Sequence, residues 1–304
     1  MPVVVIGNLT VGGTGKSPLV AWLVEQLAVR GVEAGILSRG YGGESKTAQF
    51  VTTDTPASRV GDEAVMHARR TSAKVVVAPR RSDGAKLLEQ AGVDLIVCDD
   101  GLQHLGLVHD LALRVFDERG LGNGWLLPAG PLREAWPVHS SGHSHVMTVS
   151  TSNYARHDSQ PNKKHEQPQV LNQLSVDFVV PRVLADFAKQ SDGTTQALSI
   201  FQGEKVQALA GIGKPQVFFD MLTDKGIALS ATKALADHDD MRSIHIDPGM
   251  GEVLCTEKDA VKLWNFQPTA WAVPLVTEIP EELLNTILAH IGPKLSSAHG
   301  HKTS

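Results

Sequence analysis

The sequence has few cysteines, few aromatic residues and no excess of positive charge. Among its 304 residues, the two cysteines, Cys98 and Cys255, lie in apolar runs and offer no disulfide framework or metal-ligand spacing, so both are expected in the core. The formal net charge of −5 excludes a broad electrostatic attraction to nucleic acid. No apolar run approaches the roughly 18 residues of a membrane-spanning helix. Any anionic ligand must therefore be held by a local cluster of basic groups.

The first half of the chain alternates short β-branched runs with helical patterns. Strands are predicted at residues 3–6, 34–37, 74–78, 94–98 and 111–116, and helices at 19–27, 63–70 and 82–90. This alternation predicts an α/β fold, with a mostly parallel sheet flanked by helices. Such sheets bind ligands at the carboxyl ends of their strands.

The pattern stops at a polar segment, residues 151–168, and resumes at residue 206. Strands at 206–210, 226–230 and 253–255 and helices at 215–223 and 281–290 are predicted there. We therefore expect a core at 1–150, a linker or β segment at 151–205, and a second, smaller α/β part at 206–293 that packs on the core. Residues 294–304 form a polar tail, expected to be frayed.

A glycine-rich loop lies between the first predicted strand and the first predicted helix: Thr10-Val11-Gly12-Gly13-Thr14-Gly15-Lys16-Ser17. Its glycines allow successive backbone N–H groups to point at phosphate oxygens at the helix N-terminus. Lys16 is expected to bridge the β- and γ-phosphates of a nucleoside triphosphate, and the Ser17 hydroxyl to hold Mg²⁺. The alternative is a glycine-rich turn of a dinucleotide fold, but Gly-Lys-Ser at the helix start favours the phosphate loop.

Acidic residues follow the strand predicted at 94–98. Asp99 and Asp100 stand where P-loop proteins carry an acid that holds Mg²⁺, usually through its water. Two aspartates after a strand are weak evidence alone, because Asp is common in turns, but they are strong evidence beside the loop. His104, in the same turn, is either a plain turn residue or part of the site.

Basic residues follow other predicted strands. Arg39 and Tyr41 come after the second strand, Arg81 after the third, and Arg133 after a proline-rich turn. A single arginine is usually a solvated charge, but three at one edge of a sheet predict a second anion site.

Two further acidic motifs are candidates for catalysis. Asp62 begins a predicted helix, where it is either an N-cap or a general base that takes a hydroxyl proton. His238 is flanked by acids at Asp237 and Asp239. That cluster could bind a metal, cap a helix or orient a catalytic carboxylate, and its spacing does not choose among these.

Taken together, the motifs resemble one family. They are Gly-Asn-Leu-Thr-Val-Gly-Gly-Thr-Gly-Lys-Ser-Pro at 7–18, Leu-Ser-Arg-Gly-Tyr-Gly-Gly at 37–43, Gly-Asp-Glu at 61–63, Asp-Asp-Gly-Leu-Gln-His at 99–104, Gly-Asn-Gly-Trp-Leu-Leu-Pro-Ala-Gly-Pro-Leu-Arg-Glu at 122–134, Ala-Gly-Ile-Gly-Lys-Pro at 210–215, Asp-His at 237–238 and Thr-Glu-Lys-Asp-Ala-Val-Lys at 256–262. Over residues 1–293 the chain resembles the tetraacyldisaccharide 4′-kinases, the lipid A 4′-kinases of Gram-negative bacteria. The threonine that opens the phosphate loop belongs to that family's pattern.

The resemblance implies a P-loop kinase of two α/β parts that transfers the ATP γ-phosphate to the 4′-hydroxyl of tetraacyldisaccharide 1-phosphate, giving lipid IVA. It implies Asp62 as general base with His238 as its dyad partner, Lys16 on ATP, and Ser17, Asp99 and Asp100 at Mg²⁺. Arg39, Tyr41, Arg81 and Arg133 sit in motifs associated with phosphate or lipid contacts. The implied setting is the cytoplasmic face of the inner membrane, with a lipid substrate at the membrane surface, no nucleic acid, no protein partner and a monomeric chain.

This chain departs from the family in two places. Family members commonly carry an apolar membrane-associating helix before the phosphate loop, whereas here the loop follows the first strand almost at once; a shortened form, a misplaced start and docking by other surfaces stay open. Ala64 follows Gly-Asp-Glu where proline is usual, which should alter the helix start slightly. The segment at 151–168 is either a linker or a lipid-facing flap.

Two other classes of function compete with the kinase. A regulatory GTPase or metallochaperone would need an Asn/Thr-Lys-x-Asp motif, but in Thr256-Glu257-Lys258-Asp259 the lysine is displaced by one position. A non-enzymatic nucleotide sensor would lack catalytic groups, whereas the polar groups that the chemistry needs are present.

Overall fold

The structure, a computed structural model, describes residues 1–104, 106–137, 145–151, 174–237, 239–242 and 244–299, without the side chains of 248 and 296–299. Within these ranges the chain folds into two large sheets with helices packed on them, and a separate two-stranded ribbon. Both sheets are mostly parallel, so the α/β prediction is confirmed.

The larger sheet is built mainly from the first half of the chain. Its strands are β1 Val3–Gly7, β2 Ala34–Ser38, β3 Gln49–Val51, β4 Lys74–Val77, β5 Leu95–Asp99, β6 Leu111–Phe116, β7 His145–Ser150 and β8 Phe178–Val179. They lie in the order β3-β4-β2-β5-β1-β6-β7-β8, and only the β3–β4 pairing is antiparallel. β1 and β5 are buried along their whole length, which explains their unbroken apolar runs.

Helices of this part connect the strands. They are α1 Lys16–Val29, α2 Ala57–Val60, α3 Asp62–Arg70 and α4 Arg81–Gln90. α1 buries Leu19, Leu23 and Leu27 in the same core cluster as Val4 and Ile6 of β1. This apolar spacing anchors the start of α1, and therefore the phosphate loop, to the centre of the sheet.

The smaller sheet comes from later residues. Its strands and the neighbouring ones are β9 Arg182–Leu184, β10 Phe187–Lys189, β11 Thr195–Ala197, β12 Val206–Ala210, β13 Leu229–Ala234, β14 Glu252–Thr256, β15 Trp271–Val273 and β16 Leu275–Thr277. The order is β11-β10-β15-β14-β12-β13, with β9 and β16 paired as a separate antiparallel ribbon. The helices here are α5 Pro215–Asp224, α6 Glu257–Leu263 and α7 Glu281–His299.

The chain crosses between the sheets at the β9–β16 ribbon. β9 follows β8 of the larger sheet and leads to β10 of the smaller one, while β16 follows β15 and leads to α7. α7 then buries Leu283, Ile287 and Ile291 in the core of the larger sheet. The two segments that connect the sheets are therefore hydrogen-bonded to each other through β9 and β16.

Several predicted boundaries need correction. α7 runs past residue 293, the predicted end of the second part, to His299, and it packs on the first sheet. Lys294 pairs with Asp110, so the predicted tail is helical as far as His299. The segment at 151–205, predicted as a linker or β segment, contains β strands: β8 lies in the first sheet, and β10 and β11 lie in the second. The strand predicted at 226–230 is β13, Leu229–Ala234, because Gly226 closes the turn after α5 at a φ of 80°.

Most of the segment at 151–168 lies outside the described residues, so its role stays open. Cys98 and Cys255 are buried free thiols, as predicted. Among the described residues, no helix is both long and apolar enough to cross a bilayer.

Candidate active site

The phosphate loop connects the end of β1 to the start of α1. Gly15 has a φ of 84°, and a side chain there would lie 2.7 Å from Cδ of Arg182. Both facts require glycine, since other residues rarely adopt this backbone and would meet the arginine. Thr10 and Thr14 are buried, whereas Gly12 and Gly13 are exposed. The loop therefore presents its glycine turn, not its threonines, to a ligand.

Asn8 shapes this loop, and the sequence analysis did not single it out. It is buried, and its Nδ2 donates to the main-chain oxygens of Thr10 (2.5 Å) and Gly12 (3.2 Å). Its Oδ1 accepts a 2.9 Å hydrogen bond from Nζ of Lys16. Asn8 thus fixes the turn and the lysine together. Its position directly before the glycine-rich run was the available signal.

Lys16 meets the acidic turn at the end of β5. Its Nζ lies 3.6 Å from Oδ1 of Asp100, and Nη1 of Arg133 donates to both carboxylate oxygens of Asp100 at 3.0 and 2.9 Å. Asp100 has a φ of 51°, a left-handed conformation that is uncommon for residues other than glycine but that Asp adopts more readily than most. The structure therefore brings Lys16, Asp100 and Arg133 together at the loop.

Asp99 lies beside the loop because β5 pairs with β1, with Asp99 opposite Ile6. Its Oδ2 is 2.9 Å from Nε2 of His67 on α3, and both side chains are buried. Oδ1 of Asp99 is buried without a hydrogen-bond partner among the described residues. Burial raises the pKa of Asp99, but the hydrogen bond and charge of His67 and the charge of Lys16 outweigh it and lower that pKa. Asp99 is thus held ionised.

Arg81 supports this acidic turn. It is 1% exposed, and its Nη2 donates to the main-chain oxygens of Asp99 (3.0 Å) and Asp100 (3.4 Å). The start of α4 turns the Arg81 side chain inward, and its Nε and Nη1 have no hydrogen-bond partner among the described residues. Its predicted contact with a phosphate or lipid stays a prediction. Arg39 remains exposed at the end of β2.

His104 lies in the turn after Asp100, where its backbone N–H donates to the Gly101 carbonyl (3.0 Å). Partial burial lowers the pKa of His104, as do the positive charges of Arg81 and Arg39. The imidazole therefore stays neutral near pH 7.

Two predicted motifs meet at Gly61. A side chain at this position would lie 2.4 Å from the main-chain oxygen of Tyr41, and Gly61 has a φ of 87°. Only glycine allows the loop of Arg39 and Tyr41 to lie directly against the start of α3. Tyr41 is 67% exposed there. The segment predicted to contact substrate is thus adjacent to Asp62.

Asp62 opens α3 and is 4% exposed. Its Oδ2 lies 3.3 Å from Nζ of Lys262 on α6, and its Oδ1 accepts from the Glu63 N–H. Burial and the carboxylate of Asp99 raise the pKa of Glu63, although Lys258 and Lys16 oppose this. Glu63 therefore belongs to the same group of charges as Asp99 and Lys16, and sequence reasoning gave it no role of its own.

Lys258 connects this motif to the predicted dyad partner's segment. Its Nζ lies 3.0 Å from Oδ1 of Asp237 and 3.7 Å from Oε1 of Glu63. Burial lowers the pKa of Lys258, but the carboxylates of Glu63, Asp62 and Asp237 prevail and raise it. His238 lies outside the described residues. The neighbouring Asp237 nevertheless forms an ion pair with Lys258, which also pairs with Glu63 of the Gly-Asp-Glu motif.

An ion-pair network also joins the two parts of the molecule at the loop. Buried Asp117, directly after β6, contacts Nη2 of Arg119 at 2.8 Å and Nζ of Lys214 at 3.3 Å. The Arg119 guanidinium lies against the loop, 3.3 Å from where a side chain on Gly12 would begin. Burial raises the pKa of Asp117, but its hydrogen bonds and ion pair with Arg119 prevail and lower it. An acid after an apolar strand, the signal used for Asp99, was available here too.

Asp259 stabilises a loop beside the phosphate site. Its Oδ2 accepts from the Gly211 N–H at 2.9 Å and from the Thr256 hydroxyl at 2.6 Å. This carboxylate therefore fixes the loop that carries Gly213 and Lys214 close to Gly12 and Gly13. Oδ2 of Asp259 thus has a structural role within the Thr-Glu-Lys-Asp motif.

The arrangement combines a phosphate loop with lysine, acids on the adjacent strand, and carboxylates from a facing loop. Such a site can align a nucleoside triphosphate and an acceptor hydroxyl and neutralise charge between them.

Comparison with known proteins agrees with this geometry. A model of the family described as tetraacyldisaccharide-1-P 4′-kinase (LpxK) matches residues 1–292. The tetraacyldisaccharide 4′-kinase of Polaromonas sp. (strain JS666 / ATCC BAA-500) is 40% identical over 316 residues, which cover 100% of this chain and 87% of the relative. That of Haemophilus influenzae (strain 86-028NP) is 41% identical over 92% of this chain and 79% of its own.

A solved structure from the same family has a similar fold. The chain superimposes with a TM-score of 0.73 and 26% identity on a crystal structure described as the "apo" form of LpxK from Aquifex aeolicus in complex with ATP. The match covers 95% of this chain and 88% of that one. The chain belongs to the tetraacyldisaccharide-1-P 4′-kinase family.

Proposed function

We propose that this protein transfers the γ-phosphate of ATP to the 4′-hydroxyl of tetraacyldisaccharide 1-phosphate, the step of lipid A biosynthesis that gives lipid IVA. One observation supports this proposal most directly: Lys16 and Asp100 lie together beside the glycine turn of the phosphate loop. The chain also belongs to the family that carries out this reaction. The related structure from Aquifex aeolicus, described as a complex with ATP, supports ATP as the phosphate donor.

ATP is held by the phosphate loop, residues 10–17. The exposed turn at Gly12 and Gly13 offers backbone N–H groups, and Lys16 leaves Asp100 and Asn8 to engage the β- and γ-phosphates. Arg119 lies against the same turn and adds a positive charge. These groups align the γ-phosphate and neutralise its charge, on which phosphoryl transfer mainly depends.

The residues near the loop fit Mg²⁺. The ion prefers hard oxygen ligands and takes few from the protein, keeping waters and substrate phosphates. The Ser17 hydroxyl and the carboxylates of Asp99 and Asp100 are such donors, and Oδ1 of Asp99 is buried without a partner among the described residues. When bound, Mg²⁺ neutralises charge on the phosphates. His67 and Arg81 hold the acids in place for it.

Asp62 acts as the general base toward the 4′-hydroxyl, with His238 as its partner. The carboxylate stands at the start of α3, next to the loop of Arg39 and Tyr41 that contacts the lipid substrate. Its ion pair with Lys262 holds it in place before the acceptor binds. The proton of the sugar hydroxyl passes to this carboxylate as the phosphorus–oxygen bond to the acceptor forms and ADP leaves.

The enzyme works as a monomer on a lipid substrate at the cytoplasmic face of the inner membrane, and it uses neither a protein partner nor nucleic acid. The formal charge of −5 supports the last point. Arg39 is exposed and Arg133 is 26% exposed, and both are suited to bind a phosphate on the substrate.

The test is transfer of ³²P from [γ-³²P]ATP to tetraacyldisaccharide 1-phosphate in mixed micelles with Mg²⁺, with the product separated by chromatography. Labelled lipid is expected from the wild type. Asp62→Asn and His238→Ala should lower kcat at least about 100-fold with near-normal ATP binding, since general-base catalysis supplies this order. Lys16→Ala should instead weaken ATP engagement. ATP binding without transfer by the wild type would refute the kinase and favour a nucleotide sensor.

A further inference from the structure

Three large apolar side chains stand exposed in a row near the phosphate loop. Trp125 is 66% exposed, Leu126 47% and Leu127 51%. We call these three residues the apolar knuckle. Single exposed apolar residues are ordinary, but contiguous exposed apolar surface commonly marks an interaction site. The sequence around them is also uncharged from Gly120 to Leu132.

The backbone of the knuckle is hydrogen-bonded within its own loop. The Leu127 N–H donates to the Leu132 carbonyl (2.9 Å), and the Leu132 N–H donates to the Trp125 carbonyl (3.1 Å). Asn123 accepts from the Trp125 N–H through Oδ1 at 3.1 Å and donates to the Ala129 carbonyl at 3.0 Å. These polar groups do not depend on water. These bonds lower the cost of moving the loop into a medium without hydrogen-bonding capacity.

The knuckle is joined rigidly to the candidate active site. The Val11 N–H donates to the Pro131 carbonyl (2.9 Å), and the Arg133 N–H donates to the Leu9 carbonyl (2.7 Å). The apolar surface therefore has a fixed position relative to the phosphate loop. A surface that bound the knuckle would therefore fix the orientation of the active site relative to molecules in that surface.

We infer that the apolar knuckle inserts into the surface of the lipid bilayer and so presents the active site to its membrane-borne substrate. This inference rests on the proposed function for its choice of a lipid surface. Tryptophan and leucine on a loop that forms several hydrogen bonds within itself suit the boundary between headgroups and acyl chains, where Trp is enriched. No acidic side chain within the loop opposes entry.

Binding to vesicles tests the inference without ATP or the disaccharide. The whole protein is mixed with vesicles of phosphatidylethanolamine and phosphatidylglycerol and sedimented. Leu126→Ser/Leu127→Ser should weaken vesicle binding by at least about 100-fold, roughly tenfold for each leucine removed. The matched control is Ile200→Ser/Phe266→Ser, which removes apolar side chains of similar exposure, 54% and 53%, from elsewhere on the surface.

Fluorescence tests the same insertion locally and does not depend on the double variant folding. Vesicles with brominated acyl chains should quench wild-type tryptophan emission. Trp125→Phe should bind as the wild type does but lose most of that quenching, although Trp22, Trp136, Trp264 and Trp271 remain. Equal quenching in Trp125→Phe, or equal binding by the two serine variants, would overturn the inference.

The two proposals fail separately. If the wild type binds vesicles through the knuckle but transfers no phosphate to the disaccharide, the proposed function fails and the knuckle stands. If phosphate is transferred but substitutions in the knuckle leave vesicle binding unchanged, this inference alone is wrong. Loss of a dimer in the serine variant, with vesicle binding unchanged, would assign the knuckle to a second copy of the chain and also overturn it.

Discussion

Nε2 of His67 lies 2.9 Å from Oδ2 of Asp99, and neither side chain is more than 2% exposed. The pair connects α3 to the end of β5, so the helix that begins with Asp62 is tied to the acidic turn beside the phosphate loop. A buried carboxylate needs such a partner, because an unpaired buried charge is costly.

We expect His67→Leu to destabilise the protein by about 3 kcal/mol near pH 7, since it leaves Asp99 without this partner. It should also raise the Mg²⁺ concentration needed for half-maximal activity, because Asp99 loses its fixed orientation. Urea unfolding and a Mg²⁺ titration of the kinase measure the two effects. His67→Gln keeps an N–H donor and should recover part of both; a Leu variant as stable as the wild type would contradict this account.

Gly61 is expected to tolerate no side chain. Gly61→Ala places a methyl group 2.4 Å from the Tyr41 carbonyl oxygen at a φ of 87°, so we expect a loss of about 3 kcal/mol from clash and backbone strain together. Gly92→Ala is the matched control, with a φ of 81° and no atom within 4 Å, and should cost only about 1 kcal/mol. Thermal unfolding compares them, and equal losses would mean that the contact with Tyr41 is unimportant.

The sequence predicted the parts of this site that follow local rules. The glycine-rich loop, the acids after β5 and the strands at residues 111–116 and 206–210 were placed correctly because apolar runs and turn residues determine them locally. The partnership of His67 with Asp99 joins residues 32 apart through packing of α3 on the sheet, which no local pattern shows. For the same reason the inward turn of Arg81 and the return of α7 to the first sheet could not be predicted.

Asp117 should matter for ATP binding although it does not face the ligand directly. Asp117→Asn removes the charge that holds Arg119 against the loop and Lys214 near it, so we expect KM for ATP to rise about tenfold and stability to fall by about 2 kcal/mol. Asp186→Asn is the control, because its ion pair with Lys225 is exposed and such pairs contribute little. Steady-state kinetics and thermal unfolding decide; similar effects of the two substitutions would contradict the role of Asp117.

Both cysteines should be unreactive in the folded protein. Burial raises the pKa of Cys98 to about 11, and burial with nearby carboxylates raises the pKa of Cys255 well above its ordinary value. Each thiol is therefore protonated at pH 8, below its raised pKa, and shielded from reagents. Iodoacetamide at pH 8 should label neither residue until urea unfolds the chain, as mass spectrometry would show. Rapid labelling of the native protein would contradict the buried positions.

The position of the new phosphate tests the central claim most directly. A preparative reaction with ATP, Mg²⁺ and tetraacyldisaccharide 1-phosphate is followed by ¹H–³¹P correlation spectroscopy of the lipid product. Our account predicts two phosphomonoesters, one correlated with the anomeric proton at position 1 and a new one correlated with the proton at position 4′. A lipid that keeps only its original phosphate, or gains one at another hydroxyl, would contradict it.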